Sequence, residues 1–174
     1  MYRNVLRPFV LRISVLTAAF CALSANPQQP PVDVPKADRI VVLKTAHTMT
    51  LYAHGKVLKV YHVWLGRGPG KAKQKQGDNE TPEGTYTIIG RNEHSIAHLS
   101  LHISYPSAAD RERARKLGVD PGGNIMIHGL PNGYNWNPSQ ELGDWTYGCI
   151  ALPNAEMDEV WKLVAIGTPI EIRP

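Results

Sequence analysis

Apolar and polar residues alternate along several short stretches between residues 39 and 172, which is the pattern of half-buried β-strands. In Thr48–Ala53 the apolar side chains fall on one face, and Lys56–Leu65 repeats this behaviour after a short turn. The two stretches therefore predict a β-hairpin. Strands are also predicted at Arg39–Lys44, Thr85–Gly90, Leu99–Ile103, Asn124–His128, Gly148–Leu152 and Pro169–Ile172.

Two further stretches predict helices. Ser107–Leu117 is highly charged, and Gly118 is expected to end it. The second helix is expected to have Asn154 as its cap and to end at Gly167, with Val160, Trp161 and Val164 on its inner face. The glycine-containing stretches Gly66–Glu83 and Gly133–Thr146 are expected to be long loops. The pattern as a whole predicts a mainly β domain, a β-sandwich or barrel with two or three helices.

The first residues of the chain have the features of a secretory signal. Arg3, Arg7 and Arg12 precede the uncharged stretch Ile13–Leu23, and Ala22-Leu-Ser24 has small residues at a suitable cleavage position. The apolar run is shorter than the roughly 20 residues that a membrane span needs, although a retained anchor is the alternative. We therefore expect a signal peptide at residues 1–24, a Pro- and Gln-rich linker at 25–37 and an exported, periplasmic protein that is not an integral membrane protein after cleavage.

The net charge and the number of cysteines are both lower if the signal is removed, and the conclusions drawn from them differ. The 174-residue chain has 19 Lys and Arg against 15 Asp and Glu, and two cysteines. Removing residues 1–24 leaves 16 basic residues against 15 acidic ones, so the basic excess no longer argues for a nucleic-acid partner. It also removes Cys21, so Cys149 has no partner within the mature chain for a disulfide.

The remaining cysteine is a candidate nucleophile. Cys149 follows Gly148, and His128 stands at the end of the preceding predicted strand. A free thiol is mostly protonated at neutral pH, and an imidazole can take its proton and return it to a leaving group. No histidine follows Cys149, which excludes the papain-like order, and the only later arginine is the near-terminal Arg173, which argues against a sortase.

These residues resemble the signature of the L,D-transpeptidase (YkuD) family, His-x(14–17)-[Ser/Thr]-His-Gly-Cys. His128-Gly129 is followed, after a gap of seventeen residues counted from His128, by Thr146-Tyr147-Gly148-Cys149. The stretch Gly77–Gly84, with its Thr-Pro-Glu-Gly ending, is similar to a loop of that family. The resemblance covers about Asp38 to Ile172 and implies a single L,D-transpeptidase catalytic domain at residues 38–174.

The resemblance implies a two-step acyl transfer on peptidoglycan stem peptides, without cofactor or metal, by a protein expected to be monomeric. Cys149 would attack a stem-peptide carbonyl, and His128 would move the proton to the leaving amine. The N–H groups of Cys149 and Gly148 would hold the oxyanion, with Thr146 in support, and the carbonyl of Gly129 would fix the tautomer of His128. An amine of a second stem would resolve the thioester, and carbapenems would be inhibitors.

The chain departs from the family pattern at two positions. Tyr147 replaces the histidine before Gly-Cys, and is expected to position substrate, to donate to the oxyanion, or to do neither. Ala151 stands where many members have an arginine that can bind a substrate carboxylate. A compact subgroup without this arginine is associated with 1→3 links between L-Ala and diaminopimelate. This chain resembles that subgroup, and the resemblance implies a 1→3 transpeptidase. The alternatives are a 3→3 transpeptidase, an L,D-carboxypeptidase or crosslink-cleaving endopeptidase, and a non-catalytic wall-binding module.

Other polar and aromatic residues give weaker signals. Trp136 and Trp145, in the loop before Cys149, are expected either to contact substrate or to form the core of the loop. Ala151 and His102 are further candidates for substrate contact, with an ordinary place on the polar face of its strand as the alternative for His102. His94, His98 and His102 are predicted to lie along one strand, where gaps of about 13 Å prevent them from sharing a metal ion. The basic residues of the Gly-rich loop are expected either to be solvated or to attract stem-peptide carboxylates; they are Arg67, Lys71, Lys73 and Lys75.

Overall fold

The computed structural model describes residues 35–137 and 142–174, and within them the chain forms eight strands and two helices. The predicted signal peptide and the linker up to residue 34 lie outside the described residues. The strands are β1 (Arg39–Leu43), β2 (Thr48–Ala53), β3 (Lys56–His62), β4 (Gly84–Ser95), β5 (His98–Ile103), β6 (Met126–His128), β7 (Ile150–Ala151) and β8 (Pro169–Arg173). The helices are α1 (Ala108–Leu117) and α2 (Asn154–Leu163).

The eight strands form one hydrogen-bonded succession in the order β3-β2-β1-β8-β4-β5-β6-β7. Most neighbours are antiparallel, whereas β1–β8 and β6–β7 are parallel. Strand β4 is longer than its alternation predicts and carries register shifts between Ile88 and Gly90 and between Asn92 and Ser95. Its first half pairs with β8 and its second half with β5, so β4 connects the two parts of the sheet.

The two ends of this strand order are joined by a reciprocal pair of backbone hydrogen bonds. The N–H of Trp64, just after β3, donates to the carbonyl of Ala151 at 3.0 Å, and the N–H of Ala151 donates back at 2.8 Å. A second bridge pairs Gly66 with Thr146. The sheet is thereby closed in the manner of a barrel, and the prediction of a mainly β domain is confirmed.

Alternation along the strands produces the main core. In β2 every second residue is buried, with Met49 and Leu51 fully so, while their neighbours are partly exposed. Residues of α2, notably Met157 and Val160, pack onto the same core. A second apolar cluster lies around Trp64, Leu130 and Ala151, with Trp136, Leu142 and Trp145 packed against it.

Helix α1 agrees with its sequence signals, because Ser107 and Asp110 form a capping box and Gly118 ends the helix at φ 66°. The prediction for α2 is wrong at both ends. Pro153 occupies the cap position, and the side chain of Asn154 accepts the N–H of Leu130 at 2.8 Å instead of capping the helix. The helix ends at Leu163, before Gly167.

The prediction that three histidines lie along one strand is also wrong. His94 lies near the end of β4, whereas His98 and His102 lie on β5. A turn at residues 96–97 separates the two strands, and Ser95 pairs with His98 across it. His98 itself has φ 62°, and its Nε2 atom lies 2.8 Å from a carboxylate oxygen of Asp158. The regular spacing therefore spans a hairpin.

Candidate active site

The two chemically distinctive residues are carried by neighbouring strands. In the parallel pair β6–β7, Ile127 lies opposite Ile150 and His128 lies opposite Ala151. Cys149 immediately precedes β7, so the register brings the cysteine and the histidine to the same edge of the sheet. Strand β7 has two residues, both fully buried, and it is fixed by β6 on one side and by Trp64 on the other.

His128 is buried, with 8% of its surface exposed, and its ring is held by the backbone of the next residue. Its Nδ1 atom lies 2.6 Å from the carbonyl oxygen of Gly129. Because a carbonyl can only accept, Nδ1 carries the proton in this contact and Nε2 is left as the basic nitrogen. Burial lowers the pKa of His128 below its ordinary value of 6.5, although the contact with Gly129 acts in the opposite direction.

The position of Gly129 is fixed by contacts from two directions. Its N–H is shared between the carbonyls of Ala97 at 3.1 Å and Leu99 at 3.2 Å. The following N–H, of Leu130, donates to Asn154. A Cβ atom at position 129 would lie 2.7 Å from Oδ1 of Asn154 and 2.8 Å from Cβ of His98, so only glycine fits there without displacement.

Cys149 is half-buried and its thiol is not directed at a side-chain base by any hydrogen bond among the described residues. Its Sγ atom lies 3.7 Å from the carbonyl oxygen of Asn124. Burial raises the pKa of the thiol above its ordinary 9.0, against the lowering effects of the Met126 backbone and the positive charge of Lys73. Together with the lowered pKa of His128, this favours a neutral thiol and a neutral imidazole at pH 7.

Thr146 organises the turn that leads to the cysteine. Its hydroxyl accepts the N–H of Gly148 at 3.1 Å and donates to the carbonyl of Cys149 at 2.7 Å. Gly148 has φ 123°, and a Cβ atom there would lie 2.6 Å from the carbonyl oxygen of Glu80. The N–H of Gly148, expected to hold an oxyanion, is therefore occupied by Thr146, which corrects that expectation and leaves the N–H of Cys149 as the candidate donor.

An open cleft of about 540 Å³ lies beside the cysteine. Asn124 and Tyr147 line it, and these two residues also connect it to Cys149, the first by contact with Sγ and the second along the chain. Two of its lining residues, Asn79 and Asn124, have φ of 59° and 56°, a conformation that costs energy for residues other than glycine. The remaining lining residues are Lys73, Gln76, Gly77, Asp120, Gly122, Gly123 and Ile125.

Tyr147 is 69% exposed at the mouth of this cleft. The guanidinium of Arg67 lies over its ring, 4.3 Å from the centroid. The backbone supports this contact, because the N–H of Arg67 donates to the carbonyl of Thr146 at 2.9 Å. One of the four basic residues of the Gly-rich loop is thus attached to the turn that carries the cysteine.

The two tryptophans expected to bind substrate both pack against the second apolar cluster, but they have different ring partners. The ring of Trp145 packs edge-on against His128, with centroids 5.7 Å apart. Trp136 packs instead against Trp64 at 5.6 Å, in the second apolar cluster. Ala151 is fully buried in that cluster and pairs with Trp64 through its backbone. Trp145 is therefore the one of these three whose side chain touches His128 among the described contacts.

His102 lies on β5 opposite Met126, two positions from Ser100, which pairs with His128. Within residues 35–137 and 142–174, no hydrogen bond, ion pair or ring contact links it to Cys149 or His128. No group of three or more potential metal ligands of the His, Cys, Asp or Glu type occurs in the same part of the chain. No local motif marks the backbone carbonyl of Asn124 as a contact of Cys149, or the side chain of Asn154 as the acceptor for the Leu130 N–H.

Comparison with known proteins places this geometry in context. The sequence model of the L,D-transpeptidase catalytic domain matches residues 37–172. YafK of Escherichia coli K12, a protein assigned to the L,D-transpeptidases, is 28% identical over 132 residues, which are 72% of this chain and 46% of YafK. The chain thus spans about half the length of the curated relatives it matches.

Solved structures share the fold at low sequence identity. The helical cell shape determining protein Pgp2 from Campylobacter jejuni superposes with a TM-score of 0.59 at 21% identity, covering 80% of this chain and 48% of that chain. An L,D-transpeptidase from Xylanimonas cellulosilytica superposes with a TM-score of 0.54 at 16% identity, covering 83% of this chain and 64% of that chain. The architecture seen here is therefore an L,D-transpeptidase-like fold.

Proposed function

This chain belongs to the L,D-transpeptidase catalytic domain family, and from that premise we propose that it crosslinks peptidoglycan stem peptides, with Cys149 as nucleophile and His128 as proton carrier. The observation that carries the proposal is the contact between Nδ1 of His128 and the Gly129 carbonyl, on the strand next to the cysteine. That contact leaves Nε2 as the free base, which is the state that a thiol needs from its partner.

The reaction runs in two balanced steps. Nε2 of His128 takes the proton of the Cys149 thiol while Sγ attacks the donor carbonyl, and the N–H of Cys149 binds the oxyanion. The amide C–N bond then breaks, the leaving amine takes the proton from His128, and a thioester remains. An amine of a second stem attacks the thioester and gives its proton to His128, which returns it to the departing sulfur.

Because Cys149 and His128 are both neutral before the reaction, the proton moves during the attack on the carbonyl and not before it. Burial raises the pKa of the thiol and lowers that of the imidazole, which favours a protonated thiol and a neutral imidazole before substrate binds. Proton transfer therefore accompanies attack on the carbonyl. The side chain of Trp145 packs edge-on against the His128 ring and restricts its rotation.

We propose that the product is a 1→3 link, in which the donor carbonyl is that of L-Ala. Ala151 supports this assignment, because it takes the position of the arginine that binds a carboxylate in many family members. Ala151 is fully buried beside Trp64, so the site has a closed apolar wall where that arginine would stand. A 3→3 link and simple hydrolysis of the thioester are the competing outcomes.

We further propose that residues 1–24 export the protein to the periplasm, where its substrate lies, with residues 25–37 as the linker. The basic residues, apolar run and small-residue site at the start of the chain support this. In the part of the chain that the structure describes, no helix is both long and apolar enough to cross a bilayer. Intact-mass measurement of the protein recovered from the periplasm tests cleavage after Ser24, and retention of Met1–Ser24 would contradict it.

Product analysis tests the function. The purified protein is incubated with stem tetrapeptides, with and without an acceptor stem, and the products are identified by mass spectrometry. We expect crosslinked dimers with the acceptor, loss of all product in Cys149→Ala, and a loss of about 10²–10⁴-fold in His128→Ala. His94→Ala, which changes an exposed histidine, is the matched control. Dimers that are exclusively 3→3 would contradict the linkage, and monomeric products alone would favour a carboxypeptidase.

A further inference from the structure

Two loops form opposite walls of the cleft beside Cys149. One contains Lys73 and Gln76, and the other runs from Asp120 to Asn124. They are fastened together where the N–H of Gln76 donates to the carbonyl of Asp120 at 2.7 Å. Gly122 packs directly against Gln76, with 3.3 Å from an ideal Cβ position to the Gln76 Cα atom. The cleft therefore has a defined shape, and its walls bring one cation and one anion to the same cavity.

Lys73 is the cation, and it differs from the other basic residues of its loop in being 3% exposed. Its Nζ atom donates to Oδ1 of Asp78 at 2.7 Å and to the carbonyl of Lys75 at 3.0 Å. An ammonium group has three N–H donors, so one is left for a ligand in the cleft that Lys73 lines. A lysine buried at this depth is held in one place, as a binding residue must be.

Asp78 does not cancel the charge of Lys73 completely, because the carboxylate of Asp78 also accepts hydrogen bonds from the backbone. Its carboxylate also accepts the N–H groups of Gln74, Lys75 and Glu80, at 2.7 to 3.1 Å. Three peptide dipoles therefore contribute to balancing the negative charge of Asp78. Lys73, which lines the cleft, therefore keeps part of its positive potential, and that charge also lowers the pKa of the Cys149 thiol.

Asp120 is the anion on the opposite wall, and its side chain is exposed. Its Oδ1 atom accepts the N–H of Gly122 at 2.8 Å, which orients the carboxylate. The second carboxylate oxygen is left to accept from a ligand in the cleft. A cavity lined by one fixed ammonium donor and one oriented carboxylate suits a ligand that carries both a carboxylate and an ammonium group.

We propose that this cleft binds a free zwitterionic α-amino acid centre, with its carboxylate on Lys73 and its ammonium on Asp120. This inference rests on the proposed function, because the side chain of diaminopimelate in a stem peptide ends in such a centre. The assignment supplies a carboxylate partner in a chain that has Ala151 in place of the family arginine. It also gives the cleft a preference for stems with diaminopimelate over stems with lysine, which lack the carboxylate.

Binding to the full-length Cys149→Ala variant tests the subsite separately from turnover. Calorimetry is performed with three tripeptide stems: one with diaminopimelate, one with its side-chain carboxylate converted to an amide, and one with its side-chain amine acetylated. The affinity for each stem is measured for Cys149→Ala alone and for Cys149→Ala combined with Lys73→Met or with Asp120→Asn. Lys71→Met, which changes an exposed lysine of the same loop, is the matched control. Asp120→Asn retains an oxygen acceptor for the Gly122 N–H.

The expected pattern is specific to each charge. Lys73→Met lowers the affinity for the unmodified diaminopimelate stem by about tenfold or more but leaves the affinity for the amidated stem unchanged. Asp120→Asn lowers the affinity for the unmodified stem but leaves the affinity for the acetylated stem unchanged. Lys73→Arg restores part of the affinity, and Lys71→Met has no effect. Equal losses on modified and unmodified stems would assign Lys73 a structural role and overturn the subsite. Turnover by the wild-type chain with no preference for the unmodified stem would overturn the subsite and leave the proposed function standing.

Discussion

The Nδ1 atom of His128 lies 2.6 Å from the carbonyl oxygen of Gly129, so the orientation of this ring is set by the backbone of its own neighbour. In many catalytic pairs an acidic side chain holds the histidine. Here the peptide group does so without adding a negative charge, and burial is then free to lower the pKa of the imidazole. The consequence is a base that stays neutral at pH 7.

The pH dependence of acylation follows from the two pKa directions. We expect the rate to rise with pH through a midpoint below 6.5, where His128 loses its extra proton, and to fall at a midpoint above 9.0. The alkaline fall occurs because a thiol that has lost its proton to solvent gives His128 none to deliver to the leaving amine. The measurement is kcat/KM for acyl-enzyme formation across this range.

Thiolate absorbance provides an independent check of that pair, with Cys149→Ala as the blank. A thiolate signal that developed below pH 7 would indicate a preformed ion pair and contradict the neutral state.

The lowered pKa of His128 also makes the stability of the fold depend on pH. Protonation of the buried ring is more costly in the folded state than in the unfolded one, so this residue destabilises the fold as the pH falls below 6.5.

Gly129→Ala should damage both stability and chemistry. The added Cβ atom would lie 2.7 Å from Oδ1 of Asn154, which already accepts the Leu130 N–H. We expect a loss of about 1–3 kcal/mol in the free energy of unfolding and a slower acylation, because the carbonyl that holds His128 must move. Denaturant unfolding and acylation kinetics measure the two effects. Gly143→Ala, with open space around it, is the control, and equal behaviour of both variants would refute the expectation.

Asp144 attaches the segment before the cysteine to the first hairpin. Its Oδ1 atom accepts the N–H of Leu65 at 2.7 Å, and its Oδ2 atom lies 3.0 Å from Nε2 of His47. Asp144→Ala leaves a partly buried N–H without its acceptor, and we expect it to cost about 1–3 kcal/mol of folding free energy. Asp144→Asn keeps that acceptor and should lose less.

Acylation should also slow in Asp144→Ala, because the adjacent Trp145 packs against the ring of His128. Denaturant unfolding and the rate of acyl-enzyme formation measure the two losses. Glu112→Gln removes an exposed ion pair on α1 and serves as the control for loss of a carboxylate. Equal losses in Asp144→Asn and Asp144→Ala would show that the charge, and not the hydrogen bond to Leu65, holds the segment.

Tyr147 should contribute through its ring and not through its hydroxyl. The face of the ring is covered by Arg67 at 4.3 Å, and the side chain is mostly exposed. We expect Tyr147→Phe to retain acylation within about two- to threefold, since a Phe ring also binds a cation, and Tyr147→Ala to lose more. A large loss of kcat in Tyr147→Phe, with KM unchanged, would instead assign the hydroxyl to the oxyanion.

Local signals in the sequence account for the elements but not for how they meet. Alternation locates β2, and Ser107 with Gly118 delimits α1, because each depends on neighbours in the chain. Asn154 was expected to cap a helix because a cap is its commonest local use, yet its side chain serves Leu130 on another element. The even spacing of His94, His98 and His102 predicted a single strand, but the chain turns between His94 and His98, and only pairing between β4 and β5 shows this.

The same limit applies to the candidate site. The motif around His128 and Cys149 is contiguous in sequence and therefore visible, and so is the gap between its two halves. The burial of Lys73, in contrast, depends on Asp78 and on the second wall of the cleft, which are set by the folded loops. The sequence does not distinguish the four basic residues of that loop from one another, whereas packing in the folded protein buries Lys73 and leaves the other three exposed.

The bond pair between Trp64 and Ala151 makes the position of Cys149 depend on contacts that are distant along the chain. Strand β7 has only two residues, and it is held by β6 on one side and by Trp64 on the other. The cysteine therefore has no scaffold of its own, and a substitution that loosens the first hairpin is expected to disturb the sulfur although it lies far away in the sequence.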